Sequence, residues 1–234
     1  MGKNLIQQAR GKGSHTYKAP SFKYRAEVKY TNKYSNGIVV DFVKCRGHSA
    51  PLAQIKFEDG EIGYNIAAEG IKVGDVVTIG EDAKPTSGNT LLLRNIPIGT
   101  SVFNIESKPG DGGKFVRSSG TLAKIVSHND NKVTIILPSK KKKEFNYNCR
   151  ASIGIVSGGG KKEKPFLKAG TKFHYMKARN KLYPITNAIA MNAVDHPFGT
   201  SRSSKKGRPD IARKNAPPGA KVGKIRPRRT GVRK

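Results

Sequence analysis

The chain has 234 residues and carries 45 lysine and arginine against 16 aspartate and glutamate side chains, a formal net charge of +29. Hydrophobic residues make up only 35%, below the roughly 45–50% of an ordinary globular domain, so part of the chain cannot bury itself. So large a positive excess requires an anionic partner, with nucleic acid first and an anionic membrane second. No apolar stretch reaches the roughly 18 residues of a spanning helix, no apolar signal core is expected at the N-terminus, and the Gly- and Pro-containing basic segments make poor membrane helices. RNA or DNA remains.

The charge is concentrated at the two ends. Residues 1–33 hold eight basic and one acidic side chain, and residues 200–234 hold thirteen and one. The middle, residues 34–199, is more balanced, with 24 basic and 14 acidic side chains. This distribution predicts a folded body with two basic arms.

The first half of the body has the pattern of short strands. Runs of β-branched and alternating apolar residues predict strands over residues 37–43, 52–57, 62–66 and 71–79. Asp59-Gly60 is a hairpin signal between the second and third of them. Because no long helical period intervenes, we expect a small antiparallel barrel, which removes exposed sheet edges.

A second strand group follows a hinge predicted at Pro97-Ile98-Gly99. Its predicted strands cover residues 101–105, 121–126, 133–137 and 151–156, with a turn at 128–131. The pattern therefore indicates two small β-barrels in tandem.

The character of the chain changes after Val156. Residues 157–162 are a glycine-rich basic linker, and residues 170–181 interleave cations with aromatic residues. The tail from Thr200 has almost no apolar content, so we expect it to be disordered without a partner.

Cys45 and Cys149 lie far apart and form no Cys-x-x-Cys pair, which argues against a structural zinc site. We expect two buried, reduced thiols in a cytosolic protein.

Several stretches resemble one family in chain order. They are the run 190–199, which is uncharged except at Asp195 and contains the Asp195-His196-Pro197 tip, the run 89–100, the glycine-rich loop (residues 108–120), the segments 158–160 and 164–170, the extension 215–223, and the opening 11–14 with 17–20. All are similar to the archaeal form of the universal large-subunit ribosomal protein two. Two departures, Asn187-Ala188-Ile189 and Thr200-Ser201, put the path of the loop around His196 in doubt.

The resemblance implies a mainly β chain, with an oligonucleotide-binding (OB) barrel followed by an SH3-like barrel and long basic extensions. The expected ranges are a basic arm over 1–33, the OB-like barrel over 34–99, the SH3-like barrel over 100–160, and a basic extended region over 161–234. It also implies a primary rRNA-binding protein near the subunit interface, which supports subunit association, tRNA binding and organisation of the peptidyl-transferase centre.

Candidate RNA contacts lie in the glycine-rich loop, the segment 170–181 and the two arms. Glycines let backbone N–H groups approach phosphates, and aromatic residues stack on bases while cations bind phosphates. The alternatives are a solvated hairpin loop and a linker that packs on the barrel; the run Lys140 to Lys143 is equally a hairpin tip or a phosphate contact. The expected RNA-binding residues are Lys12, Lys18, Lys114, Arg117, Lys172, His174, Lys177, Arg179, His196, Arg202, Lys205, Lys206, Arg208, Arg213, Arg228 and Arg229. We expect Arg117 to position RNA more than it stabilises the fold.

His196 is also the minority candidate for a catalytic base, since a histidine titrates near neutral pH. No Ser or Cys nucleophile motif accompanies it, and Pro197 makes the loop rigid. We therefore expect no catalytic residue and no enzyme, with the chemistry left to the RNA.

Two rival functions stay open: a free single-strand-binding module that uses the OB-like barrel, and an enzyme that acts on RNA. The expected partners are large-subunit rRNA, other large-subunit proteins and the small subunit, with no membrane. The expected location is the cytoplasmic ribosome. No metal site or cofactor is expected, and any structural Mg²⁺ would be bound through the rRNA.

Overall fold

A computed structural model describes residues 6–31, 35–81, 83–161, 163–187, 190–192 and 194–195. These residues form two compact units. The larger unit spans residues 20–167, and the smaller one contains the described parts of 1–19 and of the chain from residue 168 onward. No helix among the described residues has the length and apolarity needed to cross a membrane.

The larger unit is built on ten strands, which are β1 (Ser35–Val43), β2 (Leu52–Phe57), β3 (Ile62–Ile66), β4 (Val76–Ile79), β5 (Thr90–Leu92), β6 (Ser101–Phe103), β7 (Ala123–Asn129), β8 (Lys132–Ile136), β9 (Lys142–Asn146) and β10 (Arg150–Ile153). They form one sheet in the order β3-β2-β1-β4-β5-β10-β6-β7-β8-β9. Every pairing is antiparallel except the one between β4 and β5, which joins Ile79 to Thr90. The mainly β fold is confirmed.

Two hydrophobic cores follow the two predicted strand groups. The first is formed by Val39, Ala53, Ile55, Phe57, Ala67, Val77 and Ile79. The second contains, among others, Val102, Ile125, Val133, Ile135, Phe145 and Ile153. In β1, β7 and β8 the buried residues alternate with less buried ones because side chains alternate between the two faces of a strand, whereas every residue of β5 and β10 is buried. This arrangement fits an OB-like barrel followed by an SH3-like barrel.

A third cluster links the two strand groups within this unit. Leu52 and Ile66 from the first group pack there with Phe103 of β6, Val156 and Val28. Val28 lies in the segment predicted as a basic arm.

Residues 28–31 therefore pack with the larger unit. Val28 and Tyr30 are buried, and the Tyr30 hydroxyl donates to the Asn104 carbonyl at 2.7 Å. The carbonyl of Thr31 accepts from Arg150 Nη1 at 2.6 Å. Two large side chains near the end of the range predicted as a basic arm thus enter the core. The predicted domain boundaries stay predictions.

Some predicted strands differ from the observed ones. The strand predicted over 71–79 begins only at Val76, because a turn with Gly74 at φ +94° precedes it. The turn predicted at 128–131 is shorter, since β7 continues to Asn129. Neither β5 nor β9 was predicted as a strand; β9 includes Lys142 and Lys143 of the lysine run.

The smaller unit contains two helices, α1 (Ile6–Gly11) and α2 (Ala169–Lys177). The Asn180 side-chain amide donates to the carbonyls of His15 at 2.7 Å and Lys18 at 2.8 Å. One side chain after α2 thus holds the turn that follows α1.

Both cysteines are free and buried, which confirms the predicted pair of reduced thiols. Burial raises the pKa of the Cys149 thiol to about 11, so this thiol is protonated and unreactive at neutral pH.

Candidate nucleic-acid interface

The glycine-rich loop rests on a buried carboxylate. Glu106 is fully buried and accepts from the backbone N–H groups of Gly110 at 3.3 Å and Gly112 at 3.2 Å. Its other partner is Arg150 on β10, which donates from Nη2 at 2.8 Å, from Nε at 3.1 Å and from its backbone N–H at 2.8 Å. A buried charge is tolerated only when it is paired and hydrogen-bonded in this way. The pair fixes the start of the loop to the sheet.

A second carboxylate organises the loop from within. Asp111 accepts from the N–H groups of Ser107 at 3.0 Å, Lys108 at 3.2 Å and Gly113 at 3.1 Å. Burial alone would raise the pKa of Asp111, but these N–H donors and Lys114 outweigh it and lower the pKa below its ordinary value of 3.8. Asp111 is therefore ionised at neutral pH, and its charge is satisfied inside the loop.

Gly112 and Gly113 of the loop cannot be replaced without strain. Gly112 and Gly113 have φ values of +80° and +94°, in the region where glycine alone is unstrained. A Cβ on Gly112 would lie 2.8 Å from Lys29 Cγ, and one on Gly113 would overlap the Asn104 side chain. The backbone of the loop thus approaches its neighbours closely.

Arg117 has an internal role that the sequence did not indicate. Its guanidinium donates to the carbonyls of Gly113 at 2.9 Å and Val28 at 3.2 Å, and burial lowers its pKa. The expectation that Arg117 has little effect on stability does not fit these contacts. Arg117 joins the loop to residue 28 through these hydrogen bonds, so we expect substitution of Arg117 to destabilise the fold. Its contact with RNA stays a prediction.

The cations of the loop that face solvent are lysines. Lys108 is exposed, and Lys114, which is also exposed, lies 3.4 Å from the Asp111 carboxylate. The loop is thus fixed by internal carboxylates and presents lysine side chains to solvent, and its contact with phosphate stays a prediction.

The lysine run 140–143 is divided between two settings. Lys140 lies at the hairpin tip with φ +63°, as the solvated-tip alternative has it. Lys143 instead lies over two rings, with its Nζ 4.0 Å from the centroid of Phe115 and 5.4 Å from that of Phe145. Because Phe115 belongs to the glycine-rich loop, Lys143 adds a cation beside it.

Helix α2 carries cations and aromatic rings together. Its Phe173, His174 and Tyr175 are exposed, and no residue of the helix is buried. Cations lie against nearby rings: Arg179 Cζ is 3.7 Å from the Tyr175 centroid, Lys177 Nζ 6.0 Å from Phe173, and Lys172 Nζ 5.1 Å from Tyr183. Both alternatives for this segment, contact with RNA and packing as a linker, stay predictions.

The remaining predicted contacts fall into two groups. Lys12 and Lys18 are exposed in the smaller unit, near the turn held by Asn180. The others lie outside the described residues; they are His196, Arg202, Lys205, Lys206, Arg208, Arg213, Arg228 and Arg229. The loop departures at residues 188–189 and 200–201 lie outside them as well.

The buried pair Glu106–Arg150 was not predicted. Its two residues lie 44 positions apart, and pairing at that separation is set by the sheet. One signal was available: Glu106 and Asp111 are the only acidic residues between 100 and 120. Carboxylates that stand in a glycine- and lysine-containing stretch are candidates for loop organisers.

Comparison with known proteins decides the family. The model of the family described as Ribosomal Proteins L2, C-terminal domain, matches residues 86–218. The chain belongs to this ribosomal protein L2 family. It is 48% identical to "Large ribosomal subunit protein uL2" of Archaeoglobus fulgidus over 237 aligned residues, with all of both chains covered. The protein of the same name from Methanocaldococcus jannaschii is 49% identical, and that from Methanococcoides burtonii is 48% identical, again over the full length of both chains.

The predicted resemblance to the archaeal form of the family is confirmed, and with it a structural role in the large ribosomal subunit. The matched range contains the glycine-rich loop, Arg150 and helix α2.

Proposed function

We propose that this L2-family protein binds large-subunit rRNA through the glycine-rich loop and the cation–aromatic surface of α2. The observation that carries the proposal is the order built into the loop. Glu106 and Asp111 bind backbone N–H groups within the protein, so little conformational freedom is lost when Lys108 and Lys114 meet phosphates. A surface ordered in advance of binding loses less free energy to that ordering.

Helix α2 supports the same proposal in a different way. The exposed rings of Phe173 and Tyr175 offer faces for unstacked bases, and the cations beside them suit the backbone.

The finer parts of the proposal rest on family membership together with the net charge of +29. We place the protein near the subunit interface, where it supports subunit association, tRNA binding and the peptidyl-transferase centre. Its partners are large-subunit rRNA, other large-subunit proteins and the small subunit. No cofactor is needed, since Mg²⁺ would be held by the rRNA, and His196 supports RNA without being a catalytic base.

A matched pair of lysines tests the loop. Lys114 and Lys132 have equal side-chain exposure, 62%, and each lies near one carboxylate, but only Lys114 is in the glycine-rich loop. Binding of the full chain to a large-subunit rRNA fragment is measured as a function of salt. Each neutralised phosphate adds about −0.7 to −0.9 to the slope of log affinity against log salt.

We expect a steep slope for the wild type and a slope shallower by one such increment for Lys114→Gln, with Lys132→Gln unchanged. A slope near zero in the wild type would remove the RNA-binding proposal. Equal effects of the two substitutions would remove the loop from it.

A further inference from the structure

The first strand group differs in charge from the rest of the chain. Residues 34–99 carry six basic and eight acidic side chains, a net charge of −2, in a chain of +29. Half of all the acidic residues of the chain lie in this range. This range lacks the cationic excess that attracts phosphate, which favours a different partner for the face that its residues form.

An aliphatic row crosses the outer face of this strand group. Val76 on β4 pairs with Ile38 on β1, Ile38 pairs with Lys56 on β2, and Lys56 pairs with Ile62 on β3. Directly paired residues point to the same face of a sheet. Val76, Ile38 and Ile62 are each more than half exposed, and Lys56 is exposed as well. Val40, two residues after Ile38, extends the patch along β1 and is also exposed.

Acidic residues lie next to the aliphatic row. Asn36, two residues before Ile38 and on the same face, donates to Glu58 Oε1 at 3.0 Å. Asp41 follows Val40 and Asp75 precedes Val76 in the chain, and their carboxylates accept from the N–H groups of Phe42 and Lys72, each at 2.7 Å. All three acidic residues are exposed.

An open groove adjoins the row beside Glu58. It has a volume of ≈ 800 Å³ and is lined by Asn36, Glu58 and Val76, among others, with Glu81 and Lys84 on its far side. Glu81 is paired with Arg94 at 2.6 Å. A long cationic side chain would find an aliphatic wall at Val76 and a carboxylate at Glu58 in the same groove.

We propose that the aliphatic row and its groove dock a basic segment of another protein of the large subunit. Aliphatic or aromatic side chains of the segment cover Ile38, Val76 and Ile62, and a lysine or arginine enters the groove opposite Glu58. Exposed apolar patches rimmed by polar residues are typical of protein interaction sites. The inference rests on the large-subunit role of the family and adds a protein-binding face to the proposed RNA-binding one.

Charge and side-chain type favour this occupant over two others. RNA is disfavoured because the row offers no aromatic ring for stacking and its flanks are acidic. A second copy of the chain is disfavoured because the same acidic flanks would face each other in a symmetric contact. A basic segment is attracted by the flanks and covers the aliphatic side chains.

Substitution to lysine separates the alternatives. Large subunits are assembled with Ile38→Lys, with Glu58→Lys, or with the control Ile98→Lys, which changes a similarly exposed aliphatic residue outside the row. After a salt wash, each subunit protein is quantified by mass spectrometry relative to this chain. We expect one basic protein to fall at least fivefold in both row variants and to stay at its wild-type level in the control.

A photo-reactive benzophenone residue at position 38 identifies the occupant, with the same residue at position 98 as control. A cross-link to a protein segment with net positive charge and apolar residues supports the proposal. Cross-links only to rRNA or to a second copy, no cross-link above the control, or unchanged retention of every protein would overturn it. Failure of the wild-type chain to enter the subunit would instead contradict the large-subunit role, so the two failures are distinguishable.

Discussion

The carboxylate of Glu106 is sealed from solvent in a chain whose excess charge is positive, and its five hydrogen bonds come from the glycine-rich loop and Arg150. Arg150 continues the network, since its Nη1 donates to Thr31 and its guanidinium lies 5.3 Å from the centroid of the Tyr30 ring. One ion pair therefore joins the loop, β10 and residues 30–31. Removing one partner leaves the other charge buried and unpaired, which costs more than the pair itself contributes.

Glu106→Gln is expected to destabilise the protein by about 3–5 kcal/mol, the usual loss when one member of a buried pair is neutralised. The matched control is Glu144→Gln, whose pair with Lys132 is more than half exposed on both sides. An exposed pair contributes about 0–1 kcal/mol. Chemical denaturation of the two variants measures the difference, and equal losses would show that the buried pair has no special role.

Asp111 gives the loop a defined acid sensitivity. Because its folded-state pKa is lowered, the stabilisation is fully present above the unfolded value near 3.8 and is lost as the pH falls through the lower folded value. The free energy of unfolding of wild type and Asp111→Asn is compared in urea from about pH 6 to about pH 2. We expect a constant difference above about pH 5 that shrinks below about pH 4. A difference that does not change with pH would mean that the ionised carboxylate is not the source.

At the scale of elements, the shape of the glycine-rich loop depends on backbone conformations that residues other than glycine avoid. Gly110 and Gly113 both have positive φ, +82° and +94°. They differ in their surroundings: a Cβ at Gly110 meets nothing within 4 Å, whereas one at Gly113 overlaps Asn104. Substitution of Gly110 therefore tests backbone strain alone, whereas substitution of Gly113 tests strain together with a steric clash.

Gly113→Ala should therefore lower the melting temperature more than Gly110→Ala, which suffers only backbone strain of about 1 kcal/mol. Binding to the rRNA fragment should weaken in the same order, because displaced loop backbone moves Lys114. Calorimetry and the salt titration provide the two measurements. Equal shifts for the two variants would show that the contact with Asn104 does not hold the loop in place.

The sequence pattern predicted a strand correctly where the residues of that strand and its turn specify it. The strands β2 and β3 have the predicted bounds, because alternating apolar residues and the Asp59-Gly60 turn specify them locally. Pattern failed at β5, whose three buried residues join β4 and a strand about 60 positions later. It failed at β9 too, since Lys142 and Lys143 form a strand only through pairing with β8. Such pairings depend on non-local contacts that single-sequence patterns do not contain.

The residues of the candidate site also fall into those that the sequence pattern predicted and those that it did not. Lysines and aromatic residues of the loop and α2 were found from the sequence because exposed cations need no partner inside the protein. The supports of the site were not found: Glu106 and Arg150 are ordinary residues in the sequence, and Arg117 looked like a surface cation until its two carbonyl partners were located. The exposed cations and rings that we propose as RNA contacts could therefore be predicted from the sequence, and the buried residues that support them could not.

At the scale of the whole molecule, charge is sorted by region. Basic ends flank a body whose first strand group has a net charge of −2. Like charges that crowd a compact state destabilise it, so the cations of the ends are expected to order against polyanion while the strand groups fold by burial of their own cores. The boundary between these behaviours lies where large apolar side chains first enter a core, at Val28.

Hydrogen exchange of the free protein locates that boundary. Amides of the strands should be protected, as should those of residues 28–30, because Val28 and Tyr30 are buried and Tyr30 donates to Asn104. Amides of residues 9–19 and of the tail from residue 200 should exchange fast, since chain ordering costs about 1–2 kcal/mol per residue and these segments have few apolar groups to offset it. The two hydrogen bonds from Asn180 to His15 and Lys18 are exposed and therefore give those residues little protection. Addition of the rRNA fragment should slow exchange in both segments. Fast exchange at residues 28–30 would show that these residues behave as part of the basic arm. Protection of the tail without RNA would mean that a contact within the protein orders the tail.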